Sequence, residues 1–454
     1  MRKYFGTDGI RRIANTELSP ELVYKVAKAG AYVLSKHTDH APTILIGRDT
    51  RISGSLIESA MVAGFLSYGA NVKILGVMPT PAVAYLTRRF KADASVVISA
   101  SHNTYEFNGV KYFSNKGMKI PDELEEEIEE VMDSGKIDEL TAVNDKIGVS
   151  EIRTDLLEEY IYFFRRNFEE ELERLNRDDF VVAVDTANGA TSVVADKVFT
   201  VLGIKHHILN DSPNGININE GCGSTHLEML KQYVIDKKCN LGIAYDGDGD
   251  RCLAVDENGN EIDGDKIIAI ISQYLKSKEK LNKDTIVATV MSNLGLNKYA
   301  KQNGLTFVQT KVGDRYVLEE MLKNGYNLGG EQSGHVICLD YNPTGDGILT
   351  SLMIIKAILE QGKKASEVAS IMKAYPQVLI NAKVLSDKKY DFDKDEEIKS
   401  AIEKLNKEFD GNGRVLIRAS GTEPLVRVMI EGEDQEYIKA KAEKLAKLIE
   451  KKLS

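Results

Sequence analysis

No stretch of this chain approaches the roughly 18 apolar residues that a membrane-spanning helix needs, which excludes a helical membrane protein. The opening residues Met1-Arg2-Lys3-Tyr4-Phe5-Gly6 set no apolar run behind their charges, so no secretory signal is expected. Cysteine is scarce: Cys222, Cys239, Cys252 and Cys338 are the four present, and none forms a CxxC pair. Scattered thiols of this kind suit a reduced cytosol, and the bland reading of them as unpaired thiols is preferred. Positive charge is also in deficit. Lys and Arg total 59 against 69 Asp and Glu, a formal net charge of −10. Such a balance argues against nucleic-acid or anionic-membrane partners, because phosphate backbones reward a basic face. Small anions stay open as substrates, since a pocket can be locally basic on an acidic protein.

What is present is ordinary globular material in quantity. The 454 residues are 43% hydrophobic and 28% charged, enough for several cores and about three or four domains. A large internal repeat organises most of the length. Strand Thr43 to Gly47 runs into Arg48-Asp49-Thr50, then a helix with apolar pairs at Leu56/Ile57, Ala60/Met61 and Gly64/Phe65, then strand Val72 to Leu75. The unit recurs from strand Phe180 to Val184 through Asp185-Thr186, and more weakly from Ile286 through Ser292 to strand Leu305 to Val308. Each places polar residues at a strand's C-terminal end, where open α/β sheets bind ligands. After Tyr375-Pro376 the order becomes β-α-β-β-α. The pattern predicts three similar α/β domains plus a smaller C-terminal α+β domain, with spans of 1–151, 152–253, 254–370 and 371–454. The acidic run Asp122 to Glu130, with Leu124, Ile128 and Val131 at helical spacing, reads as a solvated helix face.

The sharpest local signal is Asp246-Gly247-Asp248-Gly249-Asp250-Arg251, which follows the apolar strand Leu241 to Tyr245. Alternate aspartates loosened by glycines can converge on one hard cation, and without a cation they would repel. An EF-hand would put Asp246, Asp248, Asp250 and Glu257 at its ligand positions, but its obligatory glycine is replaced by Arg251 and its flanks read as strands. Ser99-Ala100-Ser101-His102-Asn103 follows another apolar strand, Ala94 to Ile98. Alone, a Ser-His pair usually caps a helix or turn; beside a cation site, a phosphorylated Ser101 would supply the oxygen that Mg²⁺ favours. Lys111 would serve as a proton shuttle if burial or nearby cations lowered its pKa, and otherwise reads as a solvated lysine. Arg418-Ala419-Ser420-Gly421-Thr422-Glu423-Pro424 offers an arginine, hydroxyls and a loose backbone to a phosphate dianion. Glu331-Gln332-Ser333-Gly334-His335 suits a sugar diol, with a plain hydrogen-bonded turn of comparable weight.

Together with Phe5-Gly6-Thr7-Asp8-Gly9-Ile10-Arg11, these motifs in this order resemble the α-D-phosphohexomutase superfamily over essentially the whole chain. Gln332, the segment Lys311-Val312-Gly313-Asp314-Arg315-Tyr316 and Cys222-Gly223-Ser224-Thr225-His226 resemble its phosphoglucosamine mutase branch. The resemblance implies four domains around a central cleft. It makes Ser101 a phosphoserine and metal ligand, with Asp246, Asp248 and Asp250 holding Mg²⁺. His102 and Lys111 become the acid/base candidates, and Arg11 and Arg251 stabilise the transferring phosphoryl group. Glu331 and Ser333 hold sugar hydroxyls, while Arg418, Ser420, Gly421 and Thr422 hold the phosphate that is not reacting. A small phosphosugar substrate, a sugar 1,6-bisphosphate activator and a cytoplasmic location follow, and a homodimer is left open. Three residues depart from the family pattern: Arg12 where glycine is usual, Thr104 where proline is usual, and Phe107 where an acid is common.

Two other classes fit part of the pattern. A phosphatase with a phosphoserine intermediate would need a second metal and histidine ligands, and His206, His207 and His226 have no suitable spacing. A non-catalytic sugar-phosphate sensor would need the Glu331 and Arg418 loops but not a nucleophile beside a metal loop.

Overall fold

The computed structural model describes residues 3–6, 8–36, 38–420 and 423–454. The chain forms two compact units, residues 1–291 with 305–371, and residues 292–304 with 372–454.

The larger unit holds three sheets. The first has six strands in the order Ile10–Ile13, Phe107–Ser114, Ala94–Ile98, Thr43–Arg48, Asn71–Val77 and Ser150–Ile152. Its four later positions are parallel, and Phe107–Ser114 and Ile10–Ile13 join antiparallel at one side. Helix Pro20–Ser35, started by a side-chain cap from Ser19, packs with helix Gly54–Tyr68 over this sheet around Val26, Ile44, Met61 and Phe65. The second sheet runs Glu261–Ile262, Cys252–Asp256, Leu241–Tyr245, Val181–Asp185, Lys205–Leu209. The third runs Thr306–Thr310, Thr285–Thr289, Leu328–Gly330, Val336–Cys338. All three place a parallel strand pair beside an antiparallel one, and the repeated strands read from the sequence fall within a residue or two of those observed.

The antiparallel flanks explain where the sequence motifs sit. Leu241–Tyr245 and Cys252–Asp256 pair from Tyr245 opposite Cys252 outwards, so residues 246–251 form the connection of a hairpin and no EF-hand helix exists there. Leu328–Gly330 and Val336–Cys338 pair likewise, and the Glu331 motif is their turn. The four cysteines are free and buried.

The acidic helix, Asp122–Asp133, departs from the expected solvated face. Glu125 and Glu129 are buried. The Glu129 carboxylate accepts the backbone N–H groups of Lys3, Tyr4 and Phe5 at 2.6–2.7 Å, and Arg315 pairs with Asp122 and Glu125. Sequence spacing shows which residues share a face, but not that another segment will lie on it.

The smaller unit has a three-stranded antiparallel sheet, Gln377–Lys383, Leu425–Gly432 and Gly413–Ala419, covered by helices Glu396–Phe409 and Gln435–Leu453. Helix Leu294–Gln302, expected as the crossover of the third α/β copy, packs with this unit. Leu294 N–H donates to Glu431, which also pairs with Arg414, and Asn293 exchanges hydrogen bonds with the backbone of Tyr375.

Candidate active site

Ser101 is buried at the end of strand Ala94–Ile98 with φ of 53°, a left-handed conformation that serine rarely adopts. Its N–H donates to Ser99 Oγ at 2.9 Å, and Ser99 donates in turn to Asp49 Oδ2 at 2.6 Å. Its hydroxyl donates to Asp246 Oδ2 at 2.6 Å and lies 3.4 Å from His102 Nδ1. The Ser101 loop and the aspartate loop touch backbone to backbone: a Cβ on Gly247 would stand 2.5 Å from the Ser101 carbonyl oxygen. Glycine is required there by that approach, and at Gly249 by its φ of 72°.

Asp246, Asp248 and Asp250 are buried, and they bring carboxylate oxygens within 4.8 Å of one another. Burial, with Asp250 and Asp248 beside it, pushes the Asp246 carboxyl well above the usual carboxylate range. Asp248 Oδ1 and Asp250 Oδ1 are buried without a hydrogen-bond donor. Crowded anions, one of them forced toward its neutral form, and two unused oxygens fit a divalent cation bound through hard oxygen ligands.

Lys111 lies inside this cluster, with Nζ 2.9 Å from Asp248 Oδ2, 3.2 Å from Asp8 Oδ2 and 3.7 Å from Asp250 Oδ2. It is 2% exposed, so the solvated reading fails. The expected lowering of its pKa fails too: burial would lower it, but Asp248, Asp8 and Asp250 outweigh burial and hold it well above its ordinary value. Lys111 is therefore a charged donor. His102 is its opposite. Burial, then the charges of Arg251 and Arg11, lower its pKa to about 4, leaving a neutral imidazole beside Ser101 at neutral pH.

The ion pairs close into a ring that no motif announced. From Asp8 it passes to Lys119, whose Nζ is 2.7 Å from Asp314 Oδ2. Asp314 faces His335 Nε2 at 3.4 Å, His335 Nδ1 faces Asp250 Oδ2 at 3.6 Å, and Asp250 returns to Lys111. Burial would raise Asp8, yet Lys111, Lys119 and Arg11 hold it well below the carboxylate range. Arg11 donates to Asp8 Oδ2 at 2.8 Å and to Asn103 Oδ1 at 2.9 Å, which ties the N-terminal motif to the nucleophile loop. Arg251 extends from the aspartate loop, with Nε 3.9 Å from Asp250 Oδ1. Thr7 of the N-terminal motif lies outside the described residues.

In the Glu331 turn, Glu331 Oε1 accepts the Gly313 N–H at 3.2 Å, and burial followed by repulsion from Asp314 raises its carboxyl pKa. Ser333 Oγ is buried and unpartnered, as a group awaiting a polar ligand would be. Gln332 donates at 3.2 Å to Oδ2 of Asp263, the residue whose side chain caps helix Gly264–Ser277. The three departures from the family pattern are absorbed locally. Arg12 donates to the Lys3 carbonyl, the Thr104 carbonyl accepts from Arg51, and Phe107 pairs with Ile13 in the sheet.

In the smaller unit, Arg418 stands directly across the sheet from Arg427. Burial, then the charge of Arg427, lowers the Arg418 pKa, so an anion at this point would relieve two like charges. Ser420 is buried and its Oγ accepts the Glu423 N–H at 3.3 Å. Gly421 and Thr422 lie outside the described residues. Arg427 carries no motif of its own; strand pairing alone reveals it.

Comparison with known proteins agrees with this geometry. Four family models match in order: Phosphoglucomutase/phosphomannomutase alpha/beta/alpha domain I over residues 2–138, domain II over 158–259, domain III over 263–375 and the C-terminal domain over 379–448. A phosphoglucosamine mutase of Ruminiclostridium cellulolyticum is 53% identical over 454 residues, covering 100% of both chains. One of Clostridium tetani is 52% identical over 452 residues, again with 100% of both chains. Among solved structures, a phosphoglucomutase/phosphomannomutase family protein of Burkholderia thailandensis has a TM-score of 0.80 at 21% identity, covering 98% of this chain and 97% of that one. The N-acetylphosphoglucosamine mutase of Aspergillus fumigatus, in complex with GlcNAc-6P and magnesium, has a TM-score of 0.70 at 17% identity over 100% and 96%. The solved structures speak to the fold; the near relatives, matched end to end, speak to more, and on them this chain belongs to the phosphoglucosamine mutase family.

Proposed function

We propose that the protein interconverts glucosamine 6-phosphate and glucosamine 1-phosphate through a phosphoserine at Ser101 and a bisphosphorylated sugar, as a step toward UDP-N-acetylglucosamine. The observation that carries this reading is Ser101 Oγ, 2.6 Å from Asp246 within a buried three-aspartate cluster that also holds Lys111. A sensor has no use for such a cluster. A phosphatase of this type needs a second metal, and among the described residues Asp246, Asp248 and Asp250 form the one cluster of three or more groups that could hold an ion.

Ser101, Asp246, Asp248 and Asp250 would hold one Mg²⁺, which when bound neutralises phosphoryl oxygens. The chain's own groups do the rest. Ser101 carries the phosphoryl group, and a sugar hydroxyl attacks it, so the bond from phosphorus to Oγ breaks as one to the sugar oxygen forms. Neutral His102 accepts the proton released by the attacking hydroxyl, and charged Lys111 donates at Oγ as it leaves. Arg11 and Arg251 bear on the transferring group, Glu331 and Ser333 orient the sugar hydroxyls, and burial of Ser101 limits hydrolysis. The bisphosphate then returns its other phosphate to Ser101, and free sugar 1,6-bisphosphate acts as activator by rephosphorylating the serine. The phosphate that is not transferring is assigned to Arg418, Ser420, Gly421 and Thr422 on the chemistry of that loop. Among the described residues no helix is long and apolar enough to cross a membrane; the cytoplasmic location is part of the proposal, and the four free, buried thiols suit a reducing compartment.

A coupled assay for glucosamine 1-phosphate tests the reading. A mutase yields the isomeric sugar phosphate, a phosphatase frees inorganic phosphate and a sensor does neither. Preference for mannose or glucose 6-phosphate would move the chain to the phosphomannomutase/phosphoglucomutase branch with the same mechanism.

A further inference from the structure

Arg51 takes no part in the chemistry above, yet its side chain is completely buried directly beneath the nucleophile. Its Nε pairs with Asp49 Oδ2 at 2.8 Å. Both Nη atoms point into the loop that carries Ser101. Nη2 donates to the carbonyls of Ser101 at 3.0 Å and Asn103 at 2.8 Å; Nη1 donates to those of Phe107 at 3.1 Å and of Thr104. Asn219 reaches the same first two carbonyls from the second sheet's loops, with Nδ2 2.9 Å from each. Asp49 closes the circuit, since it also accepts from Ser99 Oγ, which accepts from Ser101 N–H.

A planar guanidinium spanning four carbonyls fixes the direction of successive peptide planes, which a point charge cannot do. The loop needs such a fixture. Ser101 is held at φ of 53°, where a free serine would relax to the ordinary region and swing Oγ away from Asp246. Asn219 is itself set in place by the loop that contains Cys222: the Gly223 N–H donates to Asp185 Oδ2 at 2.8 Å, and Asn219 N–H bonds the Ala187 carbonyl at 2.9 Å. We infer that Arg51 and Asn219 are positioning residues that clamp the loop carbonyls and so hold Ser101 in its strained, reactive conformation. This rests on the phosphoserine reading of Ser101.

The test compares Arg51→Lys and Asn219→Ala with wild type by steady-state kinetics, thermal melting and hydrogen exchange of residues 99–107. Arg51→Lys keeps the charge facing Asp49 and loses the fork. It is expected to stay folded but melt below wild type, exchange faster in the loop, and lose about 100-fold in kcat with KM nearly unchanged. A folded Arg51→Lys with wild-type kcat and loop exchange overturns the inference. If that variant does not fold, Asn219→Ala decides. It removes a buried amide that reaches two of the same carbonyls, in a loop whose next residues, Glu220 and Gly221, are exposed, so a kcat loss of about tenfold at constant KM supports the clamp and wild-type kcat overturns it. If wild type makes no glucosamine 1-phosphate, the functional reading fails, and loop exchange alone decides the clamp.

Discussion

The Ser101 hydroxyl donates to Asp246 Oδ2 across 2.6 Å, joining two loops 145 residues apart in the chain. The bond places the Ser101 hydroxyl on a carboxylate that burial, then Asp250 and Asp248, push well above the usual range. Ser101→Ala should therefore abolish mutase activity while leaving Tm within a few degrees of wild type, since one hydroxyl contributes about 1 kcal/mol. Intact mass of the purified wild type should show partial phosphorylation, mapped to the Ser101 peptide. An alanine variant that still turns over, with phosphate elsewhere, would refute the assignment.

Asp248 holds Lys111 and Thr80 through one oxygen and leaves Oδ1 unused. Asp248→Asn should weaken Mg²⁺ binding and lower kcat by at least about 100-fold, because a three-carboxylate site loses a third of its charge. Calorimetric titration with Mg²⁺ reads the first effect and the coupled assay the second. Chelator should inactivate wild type reversibly; full activity in excess chelator would rule out the site.

His102 gives a prediction in pH. Its pKa falls from an ordinary 6.5 to about 4, through burial first and then Arg251 and Arg11. The unfolded chain binds its proton below pH 6.5 while the folded protein does not, so stability is complete above that value and declines as pH falls toward 4. As proton acceptor, His102 should keep the acidic limb of kcat/KM below pH 6 rather than near 6.5. Histidine-selective NMR on the metal-bound enzyme gives the titration directly. A midpoint at or above 6.5 would remove it as a neutral base.

The paired sequence features that survive folding best are those carried by short spans. The aspartate loop, the Ser101 loop and the Glu331 turn each lie between neighbouring strands, so strand–loop–strand spacing was enough to find them. The ring through Asp8, Lys119, Asp314 and His335 was not legible, because it turns on Lys119, whose two partners lie 111 and 195 residues away in the chain. Arg51 follows Arg48-Asp49-Thr50 with no signal of its own, and its hydrogen bonds to the Ser101 loop appear only once that loop folds over it. The direction of the Lys111 pKa depends on the same long-range pairing: spacing puts it near a site but cannot count the carboxylates around it. Helix Leu294–Gln302 had the right place in the repeat, and its packing with residues 372–454 turned on Asn293 and Glu431, neither part of any pattern.

Glu129 shows how a buried acid can act at a distance. Its carboxylate gathers the N–H groups of Lys3, Tyr4 and Phe5, just ahead of Asp8 and Arg11. Glu129→Ala should free the segment from Lys3 to Phe5 locally, at about 2–4 kcal/mol for three charge-assisted bonds left without an acceptor. Hydrogen exchange of residues 3–5 should rise sharply while strand Ile10–Ile13 and the sheet behind it stay protected. Activity should fall with it, since Asp8 and Arg11 anchor the ring and the nucleophile loop. Unchanged exchange there would show that the segment is held by other contacts.

The substrate is decided at C2 of the sugar, where glucosamine carries an ammonium and glucose a hydroxyl. In the proposed site Glu331 and Ser333 hydrogen-bond hydroxyls common to both sugars, so those bonds do not separate the two and the charge of Glu331 must. The balance of charge around them does bear on the choice. Glu331 has its pKa raised by burial and then by Asp314, so a cation nearby would be favourable and an added carboxylate would not. Gln332, a feature of the amino-sugar branch, is spent on Asp263, so it acts on the shape of the turn rather than on the sugar. A neutral hydroxyl gains nothing from the acidic surroundings, whereas an ammonium does. About 1.4 kcal/mol of differential transition-state binding gives a tenfold preference. kcat/KM for glucosamine 6-phosphate should exceed that for glucose 6-phosphate by more than this factor, with residual activity on glucose. Glu331→Gln should narrow the ratio by lowering the glucosamine value more than the glucose value. Kinetics on both substrates, for wild type and variant side by side, would read the ratio directly; a ratio unmoved by Glu331→Gln would place the C2 contact elsewhere in the protein.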